Sequence, residues 1–488
     1  MKSAFSLTYK SLFIVYLIVS LLLTSLLLIG VYYCQTNVED LELAIYSREL
    51  GIAKAWMRLS VTYDGRYFTN LMQGLNPLVY NSVMGYKWMV FAGFVLFNFA
   101  IFSVVKACFS GVKLFYVLIG TLSFSAFYFQ QCGSLAYALY WMGSSFVYLY
   151  PSIFLLINIV LFIAYVRSSK PKLILFIPLA FSLFFGIGCS ELYLPFYLFL
   201  SLFLPLFIKK NYPDLLVRVI PLCLLMVLGI WFMIASPGLG FRFDESQLEN
   251  HLNTAILVSS VENYGIELLT LINFPFFLLI FLSASLWKLS NWSFGHVFKS
   301  FNLGWILFLF LVLPYLMSLP YFVTKSSQYD YPVRVYIPIV FVQYVLVFFF
   351  IIPTVLIKYF EYIKFKSIYN LSCSFFLFFF SIQICIGKGQ LGLLFEELLN
   401  KKMEIFDTQL TNRYVKLESS KSINSEYVLV NCDTLKDYPR SMFTHPDKEL
   451  NRNTTKWNKF IEGYFGIDEI KAIEDTTNRF MFFKCYNK

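Results

Sequence analysis

Two stretches of this chain, Leu12–Tyr33 and Tyr336–Leu356, hold no charged side chain at all. Each is about as long as the ~20 residues a helix needs to cross the hydrocarbon of a bilayer. Similar apolar runs recur at about 12–33, 88–108, 114–131, 146–166, 173–188, 192–208, 216–235, 268–287, 302–322, 336–357 and 369–387. A water-soluble domain has no way to hide so many. The chain is 58% hydrophobic over 488 residues, and its aromatic share of 20% supplies Phe for lipid contact and Tyr for the water interface. The pattern predicts an all-α polytopic membrane protein with about eleven transmembrane helices.

The first run is longer than the apolar core of a signal peptide and lacks a small-residue cleavage site, which predicts a retained anchor. Loop charges set the orientation. With the N-terminus inside, the inner connections hold thirteen Lys and Arg, among them Lys106, Arg167, Lys209 and Lys364, whereas the longer outer loops hold eight. That bias predicts a cytoplasmic N-terminus and, after eleven crossings, an extracytoplasmic C-terminus. The net charge of +10 is spread over short loops and is not gathered into the single basic face that nucleic-acid binding requires. Cys432 and Cys485 can pair if the tail lies outside, but there is no CxxC spacing, and the three His are far apart.

The domain plan is a transmembrane part, 1–388, with outer loops at 35–87, 237–267 and 323–335, and a soluble tail, 389–488. The tail reads as a small α+β domain with a charged helix at Leu394–Ser419 and a strand near Tyr427–Val430. Within the first outer loop, Val38–Leu50 reads as a helix capped by Asn37. The Gly- and Ser-rich segment 133–145 reads as re-entrant or interfacial.

The unusual residues gather in the outer loops. Glu39, Asp40 and Glu42 follow the first helix directly, with Glu39 and Glu42 on one helical face. Such carboxylates can act as a general base or hold a divalent cation, or they can simply complement a helix dipole. Tyr63-Asp64-Gly65-Arg66 offers an Arg able to fork onto a phosphate, or to pair with Asp64. Ser236-Pro237-Gly238 stops a helix and leads to Arg242, and Arg334 opens a later helix, with Lys325 as a weaker neighbour. All three are candidate phosphate ligands, although snorkelling to headgroups explains such cations equally well. Glu191 lies between two apolar runs, as a group at membrane depth or at an interfacial turn. Trp141 and the aromatics after it can line a sugar site or form an interfacial belt.

Taken in order, the acidic motif after helix one, Gly65-Arg66, Trp141-Met142-Gly143-Ser144 with Tyr148 and Pro151, Glu191, Ser236-Pro237-Gly238 with Arg242, and Arg334 resemble a bacterial multi-pass membrane family described as a domain of unknown function. The tail adds Trp457-Asn458 and Tyr464-Phe465-Gly466-Ile467. That family is similar to the bacterial glucosyltransferases that modify O-antigen, and both resemble the GT-C class of membrane glycosyltransferases. The resemblance implies a GT-C-like fold in a bacterial inner membrane and a polyprenyl-phosphate sugar as donor. It also implies a glycan or lipid-linked acceptor, with catalytic acids among Glu39, Asp40 and Glu42. The chain has Glu-Asp where a pair of Asp is expected, so which acid is the base stays open. No nucleotide-binding Gly-rich loop is present, in keeping with a lipid donor. A transporter or flippase of lipid-linked saccharides, or a non-catalytic envelope assembly protein, are the alternatives.

Overall fold

The computed structural model describes residues 2–168, 173–211, 213–240, 254–290, 303–324, 333–359, 367–421, 428–431, 439–442 and 470–473. The described residues of the hydrophobic part are predominantly helical. A long α1 (Lys2–Tyr33) leads to three short helices: α2 (Val38–Leu50), α3 (Ile52–Thr62) and α4 (Tyr67–Gly74). Then come α5 (Val83–Cys108), α6 (Leu114–Gln131), a π-helical turn over Ala136–Tyr140 and α7 (Met142–Arg167). These are followed by α8 (Leu173–Ile187), α9 (Leu194–Asn211), α10 (Leu216–Ile234) and a single turn, α11 (Pro237–Gly240). Next are α12 (Thr254–Leu271), α13 (Phe274–Leu289), α14 (Leu303–Thr324) and α15 (Val333–Leu346), which runs through a π-turn into α16 (Ile352–Tyr359). The chain continues as α17 (Ser367–Cys385), α18 (Gly389–Leu399) and α19 (Lys402–Lys421), and two four-residue strands, β1 (Val428–Asn431) and β2 (Ile470–Ile473), pair in parallel.

Among the described residues seven helices are long and apolar enough to cross a membrane, or up to nine if each of two bent pairs forms one span. The bends are 63° between α12 and α13 and 45° between α17 and α18. Two of the expected eleven runs have other characters. Helix α8 has 15 residues, short for a span. Helix α6 carries Thr121, Ser123, Ser125, Gln130 and Gln131, all buried, and packs against α1, α5 and α13. A helix that faces protein along most of its length, with only Leu114, Phe115 and Leu118 of its large side chains exposed, needs less of the apolar surface that lipid demands. Its hydroxyls are partly used: Ser20 and Ser123 share a hydrogen bond of 2.7 Å, and Thr121 bonds the Val117 carbonyl.

Aromatic rings fill the interior. Phe124 sits among Phe341, Tyr344, Phe348 and Phe349, with ring centroids 5.3 to 6.4 Å apart, and Tyr128, Phe97 and Phe129 continue the cluster. Such ring pairs favour edge and tilted contacts over face-to-face stacking.

The expected tail differs in detail. The helix read over Leu394–Ser419 breaks into α18 and α19 at Lys401, whose φ of 56° is left-handed. The segment assigned to the soluble domain also begins inside a packed contact. Leu391 and Leu394 are fully buried, Gln130 donates to the Lys388 carbonyl and accepts from Leu391 N, and Gln390 bridges Gly133 and Leu135. Cys432, Cys485 and the motifs after Asn453 lie outside the described residues.

Candidate functional site

The linker Cys34–Asn37 between α1 and α2 is buried along its length. It is gripped by α19: Gln35 donates to Asp407 at 2.5 Å, and the hydroxyls of Thr36 and Tyr414 lie 2.8 Å apart. Lys87 also donates to Asp407, at 2.8 Å, and to the Tyr32 carbonyl at 2.7 Å. The grip fixes where α2 starts. Asn37 caps it, accepting from Glu39 N, while Asp40 reaches back to accept from Asn37 N at 3.3 Å. This reciprocal capping box satisfies backbone donors that a helix start leaves open.

Asp40 does more than cap. The Tyr86 hydroxyl lies 3.0 Å from its Oδ2, and Gly143 N donates to its Oδ1 at 3.0 Å. Met142 N donates to the same Tyr86 hydroxyl. The N-termini of α2 and α7 therefore both aim at one carboxylate, which is only 1% exposed. Burial pushes Asp40 up from its ordinary 3.8, the three donors oppose that, Glu39 adds to it, and the carboxyl ends at about 7. A carboxylate offers about four acceptor positions, so three donors leave room for one more. Glu39 and Glu42, on the other face of α2, are half-buried.

Gly143 is required by close approach. A Cβ there would stand 2.7 Å from Asp40 Oδ1, 3.3 Å from Trp141 Nε1 and 3.8 Å from Gln73 Nε2. Trp141 Nε1 and Gln73 Oε1 are buried and have no hydrogen-bond partner. The ring of Tyr137 lies 5.2 Å from that of Trp141. Within the segment 133–145 a buried π-turn delivers Trp141 and the start of α7.

A second cluster is built around Arg66. Arg66 Nε donates to Glu191 at 2.5 Å, Nη2 donates to its other carboxylate oxygen, and Nη1 lies 3.3 Å from Asp64. Burial works to lower the Arg66 pKa, and the Glu191 and Asp64 charges raise it by more, so it is firmly cationic. The fork expected to face a phosphate is turned onto two carboxylates. Glu191 opens a turn capped by Ser190, and the Gly188 and Cys189 carbonyls just before it accept from Phe68 N and the Thr69 hydroxyl.

Ser236-Pro237-Gly238 docks on this same loop. Ser236 donates to the Ser60 carbonyl, and Gly238 sits so close that a Cβ would meet Asp64 N at 2.9 Å and Gly65 N at 3.0 Å. Gly65, at φ +72°, takes the left-handed backbone that this contact needs.

Tyr148 joins the clusters. It feels the charges of Arg334, Arg66 and Glu191 together, and it lies five residues after Gly143 on α7, about 7.5 Å along the helix. Arg334, in the first turn of α15, is half-buried, and Tyr63 is 53% exposed at the end of α3. Arg242 and Lys325 lie outside the described residues.

Among the described residues no three or more of His, Cys, Asp and Glu gather closely enough to hold a metal. The structure adds Tyr86 and Gln73 to the site and places Gly143, already part of the Trp141–Ser144 motif, against Asp40. Tyr86 and Gln73 have no sequence signal: each matters only through what it touches.

Comparison with known proteins finds no family model, no curated protein and no solved structure that matches the chain.

Proposed function

We propose that this chain is a GT-C-like membrane glycosyltransferase that moves a sugar from a polyprenyl-phosphate donor to a glycan or lipid-linked acceptor. The observation that carries the reading is Asp40. It is a buried carboxylate poised near neutrality, with one acceptor position left, and the helix whose Gly143 N it accepts from also carries Tyr148, which feels the charges of Arg334, Arg66 and Glu191. A general base works best when its pKa is close to the working pH. Asp40 accepts the acceptor's hydroxyl proton as that oxygen attacks the anomeric carbon. The bond from that carbon to the phosphate oxygen breaks, and Arg334, with Arg242, neutralises the departing lipid phosphate. In this reading the chain crosses a bacterial inner membrane eleven times, with the site on the outer side, and Asp40 takes the catalytic role rather than Glu39 or Glu42.

The test is genetic and chemical. Deleting the gene in its host should remove one sugar from a surface or lipid-linked glycan read by mass spectrometry, and wild type should restore it where Asp40→Asn does not. Equal rescue by Asp40→Asn would refute the assignment.

One observation favours a second reading, transport of a lipid-linked saccharide. Both bent pairs, α12–α13 and α17–α18, are broken helices of the kind transporters use. A fluorescent lipid-linked sugar crossing proteoliposomes made with this chain, with no sugar transferred, would select it.

A further inference from the structure

The polar atoms around Gly143 form an incomplete set. Asp40 Oδ1, Trp141 Nε1 and Gln73 Nε2 approach the same point, at 2.7, 3.3 and 3.8 Å from where a Cβ on residue 143 would stand. Gln73 is only 9% exposed, and its Oε1 has no hydrogen-bond partner. The Trp141 indole N–H has none either. A buried polar group left unpaired costs about 1–3 kcal/mol, so two of them beside a third polar group mark a place that something polar completes.

The donor and acceptor types say what fits. The indole N–H and the Gln73 amide NH2 that faces this point can only donate, while the carboxylate can only accept. A group that meets both kinds must donate and accept at once, and it must be neutral. A phosphate oxygen would satisfy the two donors but face the Asp40 carboxylate as a repulsive neighbour. An ammonium would satisfy the carboxylate and leave the two donors unpaired. A hydroxyl does both. The aromatic wall made by Trp141 and Tyr137 adds the flat apolar surface that lies well against a sugar ring.

We infer that Gln73 and Trp141, with Asp40, form a subsite for a hydroxyl of a neutral sugar, and that this sugar is the acceptor, because its hydroxyl lies against the base. The inference rests on the glycosyltransferase reading for the word acceptor, but the subsite itself stands on Gln73 and Trp141. The lipid phosphate is excluded from this corner and belongs to the side of Arg334.

The full chain in lipid nanodiscs is photolabelled with octyl glucoside, galactoside, mannoside and N-acetylglucosaminide, each carrying a diazirine next to the glycosidic oxygen. The same alkyl diazirine without a sugar is the control. At least one glycoside should label peptides containing Gln73 or Gly143 about tenfold above the control. Gln73→Leu and Trp141→Phe should each cut that labelling about fivefold, one hydrogen bond's worth, and Trp88→Phe at an exposed position should leave it unchanged. No glycoside above the control in the wild-type protein overturns the subsite whether or not the variants fold. So does labelling displaced by undecaprenyl phosphate but not by unlabelled glycosides. Labelling that persists when gene deletion leaves every glycan intact keeps the subsite and removes the enzyme reading, so the two fail separately.

Discussion

The Arg66 guanidinium and the Glu191 carboxylate meet through two hydrogen bonds across 125 positions of chain. The pair ties the first polar loop to the break between α8 and α9, and Asp64 holds the same guanidinium from within the loop. Both partners are largely buried, at 13% and 19% exposure, so solvent screens the pair little. The pair thus turns a loop into a fixed wall of the site.

Breaking it from one side is expected to be costly. Glu191→Ala leaves Arg66 with only Asp64 and should lower stability by about 3–5 kcal/mol, the cost of stranding a largely buried charge. Arg66→Met combined with Glu191→Ala should recover part of the loss, because the stranded guanidinium is gone, although Asp64 then loses its ion pair. Thermal unfolding of the single and double variants in nanodiscs measures this as a double-mutant cycle, and an additive result would show that the two residues do not act as a pair.

The Asp40 carboxyl, raised to about 7, predicts an acid limb in the transfer rate. Asp40 works as a base only when ionised, so the rate should fall about tenfold per pH unit below 7 and level off above it. Burial sets this value first, and Tyr86 on α5, Asn37 N at the start of α2, Gly143 N on α7 and Glu39 on its own helix adjust it. The stability effect has the opposite direction. The folded protein keeps a proton that the unfolded chain has lost, so this group's contribution to stability falls as pH rises from about 4 to about 7. In Asp40→Asn that slope should vanish, which unfolding measured from pH 4 to 8 reports.

The sequence reading placed much of the architecture and part of the site. Apolar runs located the membrane helices because lipid demands the same composition wherever it is met. The capped helix at Val38–Leu50 was legible because Asn37 and the acids after it are local signals. The partner of Arg66 was not legible: a turn with Glu191 looks the same whether it faces water or an arginine. Gln73, in the short helix α4, carries no periodicity and no motif, and only three-dimensional closeness to Gly143 gives it a role. The single charged helix expected over Leu394–Ser419 failed at Lys401, because a left-handed residue that is not glycine leaves no mark in composition.

Helix α19 is expected to hold the site from behind. Asp407 accepts from Gln35 and Lys87 at once, so Asp407→Ala removes two bonds to one charged group and should cost about 1.5–3 kcal/mol. The linker Cys34–Asn37 should then loosen. Cys34 is fully buried and its thiol is raised to about 12, so in the wild type it should resist alkylation at neutral pH. Peptide-resolved mass spectrometry after maleimide treatment should show Cys34 modified much faster in Asp407→Ala than in the parent. Unchanged protection would mean that α19 does not hold the linker.

Gly143 gives the sharpest contrast between packing and position. Gly143→Ala puts a methyl 2.7 Å from Asp40 Oδ1, closer than real Cβ atoms come, and both atoms belong to crowded surroundings. Asp40 is held by Asn37, Tyr86 and Gly143 itself, so it cannot swing aside without giving up hydrogen bonds. The carboxylate must shift, and a displacement near 1 Å in a reacting group costs on the order of 10²-fold in rate. Gly265, in the middle of α12, has nothing within 4 Å of the corresponding position. Gly265→Ala should therefore keep full transfer and gain up to about 1 kcal/mol of stability from helix propensity. Transfer assays and melting curves on the two variants separate the effects. If Gly143→Ala transfers sugar as well as Gly265→Ala does, the position of Asp40 does not govern the reaction.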